Sequence, residues 1–192
     1  SVAAVERAVE RGEVTYGINT GFGAFANRVI PAAKTRKLQL NLIRSHACGT
    51  GEPLPPHIVR RMLLLKANAL AAGFSGARPL MADMLLGLLN ADVLPVVPAQ
   101  GSVGASGDLA PLAHIGLALI GEGEATRGGE ALEGANVPLA AGFEPLSLQA
   151  KEGLALLNGT QLSLALALEG MFQAERLLDA SIVAGALTVE GL

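Results

Sequence analysis

The sequence predicts a mainly α protein: a helical N-terminal domain with one small β-hairpin, leading into the start of a long-helix bundle. Three observations carry that expectation. Hydrophobic residues make up 51% of the 192 residues, yet aromatics are only 3% and Trp is absent. The bulk is Leu, Ala, Val and Ile, which suits tightly packed helices. Several segments repeat apolar residues at helical spacing and are separated by Pro or Gly. The final segment, 160–192, reads as one long, mostly apolar helix, of a kind normally buried among other helices.

The elements follow in order. Residues 2–11 read as a helix stopped at Gly12, and 16–25 (YGINTGFGAF) as a Gly-punctuated loop. Residues 35–48 form a helix, with Thr35 placed to cap it and Leu38, Leu42 and Ser45 on one face. Pro53, Pro55 and Pro56 break the chain. The helix over 57–72 carries Val59, Met62, Leu63, Lys66 and Leu70 at helical spacing. A turn over 73–78 leads into a helix over 79–90. Pro95 and Pro98 keep 93–98 extended. Asp108 is placed to cap a helix reaching Gly121. Residues 124–132 read as a hairpin with Gly128 and Gly129 at its tip. A short helical piece and a run over 146–157 precede the long helix. This divides the chain into an N-terminal domain, 1–159, and the start of a central bundle, 160–192.

Charge and composition narrow the functions. The net charge of -3 makes neither nucleic acid nor an anionic membrane an expected partner. Cys48 is the only cysteine, which argues against a disulfide framework and fits a reducing, cytoplasmic compartment. No apolar run approaches the length of ~18 residues that a membrane span needs. The opening residues SVAAVERAVERGEV are charged and helical, unlike a secretory leader. Helical patterns run into both ends without cap or stop, which predicts a piece of a longer polypeptide. The high apolar content predicts surface destined for a partner subunit or for more of the same chain.

The most informative segment is Gly101-Ser-Val-Gly-Ala-Ser-Gly-Asp108. Its plain reading is a turn and a cap before an apolar helix. Its centre, Ala105-Ser106-Gly107, permits a second reading. The Gly107 amide nitrogen can attack the Ala105 carbonyl carbon. Loss of water from that adduct and from Ser106 leaves a five-membered ring with an exocyclic methylidene. Gly107 has no Cβ to obstruct the attack, Ser106 carries the departing hydroxyl, and Ala105 is small. The product is an electrophile that no standard side chain supplies.

Four segments together resemble the ammonia-lyases that use a methylidene-imidazolone prosthetic group. They are YGINTGFG (16–23), NLIRSHACGTGEPLP (41–55), GSVGASGDLAPLAH (101–114) and KEGLALLNGTQ (151–161). The third is highly specific for that family, and the resemblance covers essentially all 192 residues. Within the family, the Ser45-His46 pair resembles the histidine-acting branch; phenylalanine-acting members tend to carry Phe-Leu there and tyrosine-acting members His-Leu. The resemblance implies non-oxidative loss of ammonia from L-histidine to give trans-urocanate. Ala105, Ser106 and Gly107 would form the 4-methylidene-imidazol-5-one, and Tyr16 would take the β-proton. A phenol acts as a base only where nearby donors or positive charge favour its phenolate. His46 would meet the substrate imidazole, and Asn158 the substrate carboxylate or the ring carbonyl. The family assembles as tetramers whose sites draw on several subunits and on later helices.

Plainer roles stand beside each of these. Tyr16 suits a buried aromatic bonded to backbone, His46 a helix histidine satisfied by a carbonyl, and Asn158 a helix C-cap. His57 and His114 read as structural. A related lyase or aminomutase acting on another aromatic amino acid, and a non-catalytic structural piece, remain alternatives. Gly73-Phe-Ser-Gly-Ala77 nearly fits a hydrolase elbow but ends in Ala and follows no strand. The Gly101 loop lacks the ending of a phosphate-binding loop, and three scattered histidines with one cysteine make no metal-ligand spacing.

Overall fold

The computed structural model describes residues 1–103 and 107–191, and at Ala32 the backbone only. Ala105 and Ser106 therefore lie outside the described residues. The helices are α1 (Val2–Glu10), α2 (Ala32–His46), α3 (Pro56–Ala71), α4 (Pro79–Asn90), α5 (Leu109–Ile120), α6 (Asn136–Ala140), α7 (Glu152–Leu157) and α8 (Gln161–Glu190). The strands are β1 (Thr50–Pro53), β2 (Leu94–Pro95), β3 (Pro98–Gln100), β4 (Glu124–Arg127) and β5 (Glu130–Glu133). The mainly α reading holds.

Helix α5 is the centre of the core. Nine of its 12 residues are buried, and it packs against α2 and α7. Helices α3 and α4 pair with one another, and α3 also meets α8. Both begin with proline in the first turn, where the missing N–H costs nothing. Ile43, Met62, Leu63, Met84, Leu85, Ile115 and Leu119 are fully buried in one continuous cluster.

The sheets are small. Strand β1 pairs antiparallel with β3, and β2, β4 and β5 form an antiparallel three-stranded sheet. The expected hairpin is β4–β5. Gly128 (φ 59°) and Gly129 (φ 91°) form its tip, the left-handed pair that a type I′ turn requires.

Three local expectations need correction. Helix α2 starts at Ala32 with Pro31 at the cap position. Thr35 lies inside the first turn, buried, and its hydroxyl donates back to the Pro31 carbonyl at 3.4 Å. The run over 146–157 is helical only from Glu152, because Lys151 sits at φ 68° and interrupts the helical backbone. Asp108 occupies the cap position of α5 but makes no side-chain cap bond to that helix. The apolar surface expected for a partner or for more of the chain lies on α8, of which only Leu162 and Ala165 are buried. Further along, Leu177 is 71% exposed, and Leu178, Ile182, Val183, Leu187 and Val189 are exposed as well. At 1.5 Å per residue this helix is about 45 Å long, more than the rest of the chain covers. Among the described residues, no helix is long and apolar enough to cross a membrane.

Three buried charged groups organise the packing. Glu152 accepts from the Arg78 amide, Nε and Nη2 at 3.2, 2.7 and 2.8 Å and from the Gln149 amide at 2.8 Å. Burial pushes its carboxyl up, but these donors outweigh it and hold it below the usual range. The Asp108 carboxylate accepts from Ser102 Oγ at 2.7 Å, Ser163 Oγ at 2.8 Å and the Ser163 amide at 2.8 Å. It thus serves the first turn of α8. Lys66 on α3 is 2% exposed, and its Nζ donates to the Asn158 carbonyl at 2.9 Å. Burial pushes its ammonium down to about 8.

Two outcomes follow for the intact protein. Asp108→Ala leaves three donors without their acceptor and should cost about 2–4 kcal/mol in denaturant unfolding. Asp108→Asn, which keeps one acceptor oxygen, should cost less. Lys66 titrates lower in the folded than in the unfolded chain, so its penalty is complete below pH 8. The penalty is relieved as pH rises from 8 toward the ordinary value of 10.5. Its size is about 3 kcal/mol. Lys66→Met should therefore be the more stable protein at pH 7, with the gap narrowing toward pH 10; a gap that stays constant with pH contradicts this.

Candidate functional site

The candidate residues come from four elements, and backbone contacts bring those elements together. The first is the loop over 15–30. Asn19 is buried at its base; its Oδ1 accepts from the Thr15 amide at 2.8 Å, and its Nδ2 donates to the Glu13 carbonyl at 2.8 Å. The Ile30 amide bonds the Asn19 carbonyl at 2.7 Å, and Gly21 bonds Arg28 at 2.9 Å, so the loop closes on itself. This fixed frame holds out Tyr16, which is 55% exposed. The buried-aromatic reading of Tyr16 is therefore wrong. Its ring meets Phe22 edge-on, with centroids 6.1 Å apart.

Phe22 in turn lines a cavity of about 430 Å³ with Phe25, Arg28, Ile30, Leu38, Asn41, Leu42, Ser45 and His46. The apolar face foreseen for α2 is one wall of it. His46 ends α2, with Nδ1 2.9 Å from the Leu42 carbonyl and 3.1 Å from Ser45 Oγ. A carbonyl only accepts, so Nδ1 carries the proton and Nε2 is left as an acceptor. The carbonyl-satisfied reading of His46 is thus correct for one nitrogen and leaves the other for a ligand. Between Glu13 and Glu52 the chain has five Lys or Arg and no acid. Arg28 lies 5.0 Å over the Phe25 ring, and Lys34 and Lys37 line an adjoining groove with Ile30, Leu38 and Asn41. The cavity wall is mostly apolar, with Arg28 as its cation, and Lys34 and Lys37 extend the positive charge into the adjoining groove.

The other two elements carry Asn158 and Gly107. Asn158 is the C-cap residue of α7 and is exposed; its amide donates to Leu154 at 2.9 Å. The C-cap position is as the plain reading had it, but the cap is made by backbone. Gly107 has φ 99°, and a Cβ there would run into the Gly159 carbonyl. That same carbonyl accepts the Asp108 amide at 2.7 Å. At the other end of the loop, a Cβ on Gly101 would lie 3.1 Å from Gly49 Cα. The flanks of 105–106 thus press on Gly49, three residues past His46, and on Gly159, one past Asn158. Gly17 is packed against Leu154, which is one helical turn before Asn158. Tyr16 does not line the His46 cavity; Phe22 stands between them.

His114 holds the same region from α5. Its Nε2 accepts the Gly49 amide at 3.2 Å; burial pushes its pKa down, against the opposing pull of Glu124. His57 pairs with Glu169 at 3.5 Å, on the α3–α8 contact. Sequence reasoning missed three site-bearing groups. Lys66 was visible as a lysine in an otherwise apolar helical stripe. The partners of Asp108 lie as far as 55 residues away, and the Gln39 Oε1 bond to the Leu154 amide at 3.1 Å spans 115; no local pattern announces either.

Residues 1–192 match the family described as aromatic amino acid lyase. A histidine ammonia-lyase of Paracidovorax citrulli is 55% identical over all of this chain and 38% of its own length. One from Geobacillus is 52% identical over 98% of this chain and 37% of its own. The solved histidine ammonia-lyase of Trypanosoma cruzi superposes with a TM-score of 0.82 at 40% identity, covering 92% of this chain and 34% of that one. The phenylalanine aminomutase of Pantoea agglomerans gives a TM-score of 0.86 at 34% identity, covering 94% and 34%. The chain therefore spans little more than a third of the length of these relatives, and with its whole length matched it belongs to the aromatic amino acid lyase family.

Proposed function

We propose that the protein carrying this chain is a histidine ammonia-lyase, converting L-histidine to trans-urocanate and ammonia. Ala105, Ser106 and Gly107 form the 4-methylidene-imidazol-5-one, Tyr16 takes the β-proton, and His46 and Asn158 bind the substrate. The observation that carries this reading is the convergence of the loop flanks on the His46 and Asn158 segments: Gly101 on Gly49, and Gly107 on Gly159. Gly107 also suits ring closure, since a side chain there has no room. The ring, once formed, supplies an electrophile for the amino nitrogen, which is otherwise a poor leaving group.

This chain's own residues contribute substrate binding and proton removal. His46 Nε2 accepts the N–H of the substrate imidazole, while Leu42 fixes the tautomer. The cationic stretch around Arg28, Lys34 and Lys37 draws in a carboxylate. The Asn158 amide holds it or the ring carbonyl. Tyr16 removes the proton from the β-carbon; the electron pair forms the double bond as nitrogen departs as ammonia. The exposed apolar residues of α8, from Leu177 to Val189, support an assembly of several copies, with 160–192 entering a shared bundle.

Two experiments test the reading. The intact protein should weigh about 36 Da less than its sequence, two waters at ~18 Da each, and Ser106→Ala should restore the full mass and abolish turnover with little loss of stability. Substantial turnover by Ser106→Ala rules the ring out. In competition among histidine, phenylalanine and tyrosine, histidine should be consumed first, because of Ser45 and His46. Preference for either rival reassigns the chain to another branch of the family.

A further inference from the structure

We propose that Lys66 is a positioning residue for the elimination: by donating to the Asn158 carbonyl it fixes the Asn158–Gly159 turn, and through that turn the Asn158 amide and the carbonyl against which Gly107 sits. This rests on the assignment of Asn158 to substrate binding.

The geometry makes a purely structural role a poor explanation. Lys66 is buried among Met62, Leu63, Ala67 and Leu70, where methionine or leucine would pack without a charge. Among the described residues it forms no ion pair, and its hydrogen bond is to Asn158. Burial lowers its pKa with no opposing carboxylate. Asn158 itself is exposed, and its carbonyl needs one hydrogen-bond donor, which a neutral group or a water supplies as well as a charge. A buried ammonium is an expensive way to fill that need, and perturbed groups of this kind concentrate at functional sites. What lysine adds over water is a fixed direction. The Asn158 carbonyl is held from the core side, and the next carbonyl, that of Gly159, is held by the Asp108 amide.

The test uses the intact protein and four forms: wild type, Lys66→Met, Asn158→Ala and the double variant. Lys66→Met should keep the mass deficit of the ring and melt at a Tm no lower than wild type, yet lose kcat/KM on histidine by roughly 30-fold, about 2 kcal/mol. Asn158→Ala should lose at least as much, and the double variant should be no slower than Asn158→Ala alone. Lys66→Gln, which retains an N–H donor without the charge, should recover part of the loss. Full activity in Lys66→Met overturns the proposal, as do losses that multiply in the double variant. So does activity that falls only as far as the folded fraction, read for Lys66→Gln if Lys66→Met fails to fold. Wild type that leaves histidine untouched, or Asn158→Ala at the wild-type rate, overturns the functional reading and this one together.

Discussion

One buried carboxylate joins three parts of this molecule: the loop before α5, α5 itself and the start of α8. Asp108 stands at the start of α5, but its oxygens are taken by Ser102 on the loop side and by Ser163 in the first turn of α8. No lysine or arginine pairs with it among the described residues. It is tolerated because three donors surround it, one of them a backbone N–H at the positive end of a helix 30 residues long. Loop, central helix and the first turn of the long helix are therefore tied together at one side chain. Because the Asp108 amide bonds the Gly159 carbonyl, the same anchor keeps Gly107 pressed on the turn that follows Asn158.

The site depends on backbones approaching one another more closely than side chains allow. Gly101 meets Gly49, and Gly107 meets Gly159. At Gly107 the left-handed φ of 99° and the occupied Cβ position both demand glycine. These close approaches bring Gly101 to the segment after α2 and Gly107 to the turn after α7, beside the side-chain anchor that Asp108 supplies. The loop bearing Tyr16 is held differently, by the buried Asn19 side chain and by packing of Gly17 on Leu154. Rigid main-chain scaffolding of this kind is what allows a few side chains to be aimed with the accuracy catalysis requires.

Much of this was legible in the letters, for identifiable reasons. Helices α3, α4 and α5 announce themselves by apolar spacing and by Pro56, Pro79 and Gly121 at their ends, and the β4–β5 hairpin by Gly128 and Gly129. These are local signals acting over a few residues. The errors fall where a distant group overrides a local preference. Asp108 looks like the cap of its own helix, but Ser163 competes for its carboxylate and wins. Thr35 looks like a cap, but Pro31 has already started the helix. The helical run before Asn158 was overextended because nothing local shows that Lys151 takes a left-handed conformation. The long apolar helix is a different case: the exposure of Leu177 and Ile182 is the apolar surface that the composition predicts for a partner or for more of the chain. The motif residues were readable as a set through their resemblance to a family, while the geometry that unites them is non-local.

The two unpaired buried charges make sense together. Lys66 sits at the carbonyl end of α7, where the helix dipole is negative, and Asp108 at the amide end of α8, where it is positive. Between those ends lie only Asn158, Gly159 and Thr160. A three-residue connection is held from one side by a cation and from the other by an anion, each matched to the partial charge of the helix it meets. An apolar core could pack the same helices at lower cost, since among the described residues neither charge has a counter-ion to offset its desolvation. What it could not do is fix the orientation of individual carbonyls, because dispersion contacts are non-directional while hydrogen bonds to charges are not. Stability has been given up at the point where the direction of one peptide group sets how the Asn158–Gly159 turn meets Gly107.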